Sequence, residues 1–308
     1  MENTRAKTTR NSLILLLTAT IWGMAFVSQS KGMDYMHPFT FNGVRSLIGA
    51  AGILVYILIS RKIAGDKATK LDWKLNVRAG LLCGIFLTIA STLQQFGIKY
   101  TSVGKAGFIT TLYIIFVPMF GIFLKKKVAP VVWAAAGMAA VGMYLLCMTE
   151  SLRLGAGDIM VFLCAIAFAI QIMTVDHYAA RIDGAVVSCI QFTVCGVVCC
   201  IGALIWGQPT FGQIQEGLGA LLYAGVLSCG VGYTLQIVGQ KGLNPTVAAL
   251  IMSLESVIAT ISGWIAYKIG FLSTDQTLTP RQIAGCIIVF AAVILVQLPP
   301  EWFRFGKK

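Results

Sequence analysis

Long apolar stretches alternate with short polar connections along this chain. Each stretch runs for about 20 residues, the length that an α-helix needs to cross a hydrocarbon layer about 30 Å thick. Backbone groups in such a layer must be satisfied within the segment, so helices are expected. We predict ten spans, at residues 12–30, 38–60, 76–98, 102–124, 128–148, 157–178, 184–206, 217–239, 245–267 and 280–298. Counts of nine or eleven stay open because polar residues crowd the connection between the sixth and seventh spans.

The composition agrees with the pattern. Of 308 residues, 57% are hydrophobic and only 12% are charged, and the mean hydropathy is +0.81. This is more apolar surface than a soluble core of that size buries, so the sequence predicts an all-α integral membrane protein whose partners include membrane lipids. The first span has full length and no persuasive cleavage site, so it is predicted to be an uncleaved helix and not a signal peptide.

The distribution of basic residues predicts the topology. A net charge of +12 can suggest nucleic acid, but here the charges collect on one side of the predicted spans. With the N-terminus inside, that side holds Arg61, Lys62 and the run Lys125-Lys126-Lys127. The other side receives only six basic residues: Lys31, Lys99, Lys105, Arg153, Lys268 and Arg281. The bias predicts a multi-pass protein of the cytoplasmic membrane with both termini in the cytoplasm, and no nucleic-acid partner.

An internal echo indicates a duplication. Residues 93–99, Leu-Gln-Gln-Phe-Gly-Ile-Lys, return at 235–241 as Leu-Gln-Ile-Val-Gly-Gln-Lys. We predict a cytoplasmic N-terminus at 1–11, a first five-helix repeat at 12–148, a second at 157–298 and a cytoplasmic C-terminus at 299–308. Because five is an odd number, the second repeat enters the bilayer from the opposite side. Inverted repeats typically enclose a midplane cavity that opens to each side in turn, which favours a transporter.

Glu255 and Arg45 are the first candidate residues. Glu255 lies about 15 Å deep in the ninth span, close to the midplane. Ionisable groups at that depth usually face a cavity, where this carboxyl group would exchange protons or bind an ammonium group; the alternative is a neutral glutamate that braces the bundle. Arg45 lies in the second span and either pairs with an acidic residue such as Glu255 or Asp158, or holds a substrate carboxylate.

Four further residues are predicted along the same route. Tyr113 occupies the position in the first repeat that Glu255 holds in the second. Gln95 and Gln236 represent two glutamine pairs at related depths, Gln94 with Gln95 and Gln236 with Gln240, in which one amide of each pair can face the axis. Trp22 either walls the cavity or lies at the outer membrane interface, where indole rings are favoured.

Two features predict irregular helices. Pro118 lacks an amide hydrogen and crowds the carbonyl of Ile114, so a kink is expected there. Its counterpart in the second repeat is Thr260, which predicts that the two halves bend unequally. In the eighth span a cluster of small residues lowers helix propensity and allows bending or close packing. Its members are Gly225, Ser228, Gly230 and Gly232.

Several pieces of the chain resemble the drug/metabolite transporter superfamily, specifically its EamA-type members. They are residues 21–26 (Ile-Trp-Gly-Met-Ala-Phe), 93–107, 252–257 (Met-Ser-Leu-Glu-Ser-Val) and 279–285 (Thr-Pro-Arg-Gln-Ile-Ala-Gly). The resemblance implies a ten-helix carrier of small organic solutes, frequently an exporter of amino acids or other metabolites. It also implies a cavity lined largely by helices one, three, four, six, eight and nine. Glu255 matches a glutamate that the family often follows with proline, where this chain has Ser256.

The sequence therefore predicts a secondary transporter that exports a small organic metabolite, such as an amino acid, with possible proton coupling. A lipid or lipid-linked sugar translocase is the alternative, and an integral membrane enzyme is the more distant one. No Walker loop, dinucleotide fingerprint or HExxH motif is present, so neither a cofactor nor a metal is predicted. A monomer and a homodimer both stay open.

Overall fold

The computed structural model describes residues 2–65, 71–124, 129–147, 155–273 and 276–297. Within these ranges all regular elements are helices. They are α1 (Glu2–Gly32), α2 (Pro38–Ala64), α3 (Trp73–Ile98), α4 (Val103–Thr111), α5 (Tyr113–Phe123), α6 (Pro130–Cys147), α7 (Ala156–Tyr178), α8 (Gly184–Gly202), α9 (Phe211–Glu216), α10 (Leu218–Leu222), α11 (Tyr233–Gln240), α12 (Pro245–Met252), α13 (Leu254–Lys268) and α14 (Pro280–Gln297). Two π-helical segments, Ala203–Gly207 and Tyr223–Gly232, continue α8 and precede α11.

Eight helical stretches in the described part of the chain are long and apolar enough to cross a membrane. They are Lys7–Gly32, Pro38–Ala64, Trp73–Ile98, Val103–Phe123, Ala156–Tyr178, Gly184–Gly207, Leu218–Gln240 and Pro245–Lys268. Two shorter apolar helices, Pro130–Gly142 and Pro280–Leu295, lie where the fifth and tenth spans were predicted. The protein is thus a multi-pass helical membrane protein.

The chain ends are described only in part. Helix α1 begins at Glu2 and continues without interruption to Gly32, so most of the predicted cytoplasmic N-terminus, 1–11, is helical and continuous with the first span. The basic run Lys125-Lys126-Lys127 and the C-terminal segment 299–308 lie outside the described residues.

The main helix contacts join the first half of the chain to the second. α1 packs on α13, α2 on α8, α3 on α7 and α8, and α6 on α14. Glycines permit the closest approaches between helices. A Cβ atom on Gly80 would lie 2.6 Å from the Cβ of Ile190 on α8, and one on Gly84 would lie 2.9 Å from the Cβ of Val194. The centre of the bundle is consequently enclosed by both halves.

The fourth and ninth spans are both interrupted near their middle. The fourth breaks at Leu112, between α4 and α5, whereas Pro118 lies inside α5. The ninth breaks at Ser253, between α12 and α13, although it contains no proline there. Both halves thus carry an interruption, and in the fourth span it lies at Leu112 and not at Pro118.

Hydroxyl groups explain how the second break forms without proline. Ser253 Oγ donates to the carbonyl of Leu250 at 2.7 Å, and Ser256 Oγ donates to the carbonyl of Ser253 at 2.8 Å. Serine side chains that bond the preceding turn compete with the regular backbone ladder and bend helices. In the first half, Thr111 Oγ1 makes the equivalent bond to Phe108 O at 2.9 Å.

The eighth span is irregular at its predicted small-residue cluster. The π-helical segment Tyr223–Gly232 contains all four residues of that cluster. Gly225 lies where this segment crosses α2, since a Cβ atom there would come within 2.9 Å of the Arg45 carbonyl oxygen. The cluster thus serves both bending and close packing. Wide turns of this type are frequent at functional sites.

Candidate functional site

A narrow cavity lined by both polar and apolar side chains lies at the centre of the bundle. It offers about 30 Å³ of space to the centres of water molecules. Since one water needs about 10–15 Å³ by this measure, the cavity holds only a few waters. A metabolite can therefore enter only after helices move apart. The polar residues that line it are Gln29, Arg45, Ser46, Ser91, Gln94, Thr110, Gln171, Ser228, Gln236 and Glu255.

Glu255 and Tyr113 meet in this cavity. Each begins a helix just after one of the two breaks, Glu255 in the first turn of α13 and Tyr113 as the first residue of α5. The Tyr113 hydroxyl donates to Glu255 Oε1 at 3.0 Å, and both side chains are buried. The repeat spacing that predicts these residues as counterparts thus brings them into direct contact. A helix N-terminus also favours negative charge, which suits Glu255 at this position.

Arg45 lines the same cavity without a carboxylate partner in the described part of the chain. Its Nε donates to Asn42 Oδ1 at 2.9 Å, and its guanidinium lies 5.4 Å from the ring of Phe41. Of the two alternatives for Arg45, the pairing with Glu255 or Asp158 is not found among the described residues, where Glu255 accepts from Tyr113 and Asp158 pairs with Lys105. A buried guanidinium held by a neutral amide and an aromatic ring keeps its affinity for a carboxylate ligand.

The glutamines form two sets within the cavity wall. Gln171 and Gln236 exchange hydrogen bonds of 3.2 and 3.4 Å, and Gln94 Nε2 donates to Thr110 Oγ1 at 3.2 Å. Gln95, the predicted lining residue, lies outside the cavity and donates to the carbonyl of Gln29 at 3.2 Å. Neighbouring helical residues point about 100° apart, so only one of the pair faces the axis.

The repeat itself contained the signal that separates these two glutamines. In the echo Gln94 aligns with Gln236, whereas Gln95 aligns with Ile237. Gln94 and Gln236 both line the cavity, and neither Gln95 nor Ile237 does. The sequence prediction chose Gln95 from this pair, although the alignment of the two repeats indicated Gln94.

Aromatic side chains form the other wall. The Trp22 ring lies 4.5 Å from that of Tyr233, which in turn lies 5.0 Å from the ring of Phe192. Trp22 Nε1 donates to the carbonyl of Ser228, in the π-helical segment, at 3.4 Å. Of the two alternatives for Trp22, the structure thus shows the cavity wall. The second and seventh spans also line the cavity, in addition to the helices that the family resemblance implies. They do so through Arg45, Ser46 and Phe192.

Polar contacts tie the bundle together at both ends of the cavity. At one end Lys105 Nζ, on α4, lies 2.6 Å from Asp158 Oδ2, at the start of α7. At the other end Asn11 Nδ2, on α1, donates to the carbonyl of Lys241 at 2.7 Å. The first contact joins α4 to α7, and the second joins α1 to the segment that follows α11. Among the described residues no group of three or more His, Cys, Asp or Glu side chains is placed to hold a metal ion.

The bundle and its cavity are those of a multi-pass helical membrane protein with a small polar site between its two halves. The profile of the EamA-like transporter family matches residues 10–148 and again residues 155–298. The chain belongs to the EamA-like transporter family, and it is a membrane transporter.

Relatives agree with this assignment, and a solved structure has a similar fold. An "Uncharacterized transporter" of Archaeoglobus fulgidus is 27% identical over 92% of this chain and 84% of its own length. The "Uncharacterized transporter YwfM" of Bacillus subtilis is 24% identical over 94% of both chains. One crystal structure superimposes with a TM-score of 0.74 over 96% of this chain and 99% of its own, at 16% identity, and it shares the fold.

Proposed function

We propose that the protein is a secondary transporter that exports a small organic metabolite, such as an amino acid, by alternating access. The observation that carries the proposal is the central cavity, where an acidic and a basic side chain, Glu255 and Arg45, line one closed site. Charged groups at this depth are costly and are retained mainly where they meet a ligand, an ion or each other. Export is the direction that the family resemblance implies.

A zwitterion fits the chemistry of this site. Arg45 has planar donors for a carboxylate, and Glu255 with the Tyr113 hydroxyl accepts a bond from an ammonium group. The amides of Gln94 and Gln236 and the ring of Trp22 complete the binding surface. On this proposal Glu255 binds a proton when the substrate leaves, which couples transport to protons.

We further propose ten spans built from two inverted five-helix repeats, with both termini in the cytoplasm and the protein in the inner membrane. The family profile matches the chain twice, over nearly the predicted repeats. The matched breaks at Leu112 and Ser253 also support the duplication, as does the pairing of the shorter helices α6 and α14. The breaks would let the outer and inner halves of these spans move separately as the cavity changes sides.

Two assays in proteoliposomes test the proposal. A counterflow screen of amino acids, sugars and cationic drugs should identify a substrate, and an imposed pH gradient should then drive uptake of that substrate by wild-type protein. Glu255→Gln should abolish the proton dependence, because an amide cannot take up a proton. Glu216→Gln, the same change at an exposed carboxylate on α9, should leave transport unchanged. Proton-driven transport that survives in folded Glu255→Gln protein would refute the role of this residue.

A further inference from the structure

A second and larger cavity opens at the Lys241 end of the bundle. Its volume is about 580 Å³, and it lies between the end of α2, the start of α3, the connection from α7 to α8 and the end of α11. We call it the α2–α11 groove. Its lining includes Tyr56, Arg61, Arg181, Val238 and Lys241. None of these residues belongs to the central cavity.

Three cations from three separate elements surround the mouth of the groove. Arg61 is in the last turn of α2 and lies 5.9 Å from the ring of Trp73. Arg181 follows α7. Lys241 follows α11, and its Nζ donates to the carbonyl oxygen of Ile182 at 3.4 Å. Both ion pairs of the described chain lie elsewhere, at Lys31 with Asp34 and at Lys105 with Asp158. The mouth therefore presents cationic groups that no described carboxylate neutralises by direct contact.

The two acidic residues at the mouth have other partners. Asp72 accepts a hydrogen bond from the amide of Leu75 at 3.0 Å and caps α3. Asp183 accepts bonds from the first amides of α8, at 2.9 and 3.1 Å. Because both carboxylates are directed at the backbone of their own helices, the three cations stay available to an anionic ligand.

Away from its mouth the groove is lined by uncharged side chains. On α11 its lining passes from Lys241 through Val238 to Thr234, a distance of about 10 Å along the helix. On α2 it passes from Arg61 to Ile57 and to Tyr56, whose side chain is exposed at the surface of the bundle. α2 packs against the π-helical segment Tyr223–Gly232 and hardly touches α11, so the groove is open sideways between them.

We infer that the α2–α11 groove binds an anionic phospholipid, with the headgroup phosphate at Arg61, Arg181 and Lys241 and an acyl chain between α2 and α11. A soluble phosphate would use the charged mouth but would leave the apolar walls uncovered, whereas a phospholipid matches both. Basic pockets between membrane helices on the cytoplasmic side are suited to such headgroups. The inference rests on the proposed topology for the side of the membrane but not on the proposed transport.

Binding of dioleoylphosphatidylglycerol to the delipidated full-length protein in detergent, measured by native mass spectrometry, tests the inference. Wild-type protein should bind this lipid in preference to dioleoylphosphatidylcholine. Arg61→Gln with Lys241→Gln should weaken binding by about fivefold for each charge removed. Lys62→Gln removes an equal charge next to Arg61 but outside the groove, and it should leave binding unchanged. Because no substrate is present, the result is independent of transport.

Val238→Trp provides a second variant that keeps every charge. An indole at this half-buried position would fill the apolar part of the groove, so the lipid should be lost although the mouth is intact. Equal binding of the two lipids, or undiminished binding in the charge variant or in Val238→Trp, would overturn the inference. Displacement of the lipid by an excess of glycerol phosphate would also overturn it, because the site would then belong to soluble phosphates.

Discussion

Asp158 should hold one end of the central cavity shut, and Asp158→Asn tests this directly. Its carboxylate receives three donors, namely Lys105 Nζ at 2.6 Å, the Gly155 amide at 2.8 Å and Thr101 Oγ1 at 2.9 Å. Asparagine keeps an oxygen that can accept from the Gly155 amide and so preserves the cap of α7. The change therefore removes mainly the charged contact between α4 and α7.

The expected size of the effect follows from burial. The Asp158 side chain is only 4% exposed and that of Lys105 only 20%, so water replaces the lost contact poorly. A hydrogen bond to a charged group contributes about 1.5–3 kcal/mol, which corresponds to a shift of about tenfold to a hundredfold between closed and open states. Asp34→Asn is the matched control, because its ion pair with Lys31 is more exposed and is expected to contribute about 0–1 kcal/mol.

Maleimide labelling of Cys229 measures the opening, because this thiol lines the central cavity and is 2% exposed. In a variant that retains only this one of the nine cysteines, Asp158→Asn should raise the labelling rate by about tenfold or more, as the lost contact implies. Asp34→Asn should change it little. The argument would be refuted if Asp158→Asn protein remained folded and was labelled at the rate of its parent, or if both variants gave equal increases.

Two further predictions concern stability. Gly225→Val should lower the free energy of unfolding by about 1–3 kcal/mol, because a Cβ atom there would lie 2.8 Å from that of Ile48. Gly219→Val, at a site with nothing within 4 Å of a new Cβ, should cost clearly less in the same detergent titration. Burial, and then the charge of Lys99, lower the pKa of His37, whose neutral Nδ1 accepts from the Phe39 amide. The stabilisation of the folded protein by this cap should be present above about pH 6.5 and be lost as pH falls through the lowered folded pKa. Melting curves at two pH values should show that loss of stability, and His37→Asn should abolish this pH dependence.

The echo between residues 93–99 and 235–241 was informative beyond architecture. It made Tyr113 the counterpart of Glu255, and the structure joins the two by a hydrogen bond of 3.0 Å. It also aligned Gln94 with Gln236, and both line the cavity. The choice of Gln95 failed because depth in the membrane was considered without the rotation of the helix about its axis.

The breaks in the fourth and ninth spans show a different limit. Pro118 was a visible signal, but the break lies at Leu112, and the matching break at Ser253 has no proline. Hydroxyl groups that bond the preceding turn replace proline there. Serine and threonine are common in apolar helices, so the sequence alone does not distinguish those that bend a helix from those that do not.

The sequence by itself determined the helical class, the membrane environment, the places of the apolar helices and the correspondence of the two halves. These follow from segment length, composition and repetition, which are local properties of the chain. Only the tertiary structure decided that Arg45 has a neutral partner, that Lys105 forms an ion pair with Asp158, and that a groove lies between α2 and α11. Those outcomes depend on how each helix is rotated and on which neighbour it packs against, and residues far apart in sequence decide both.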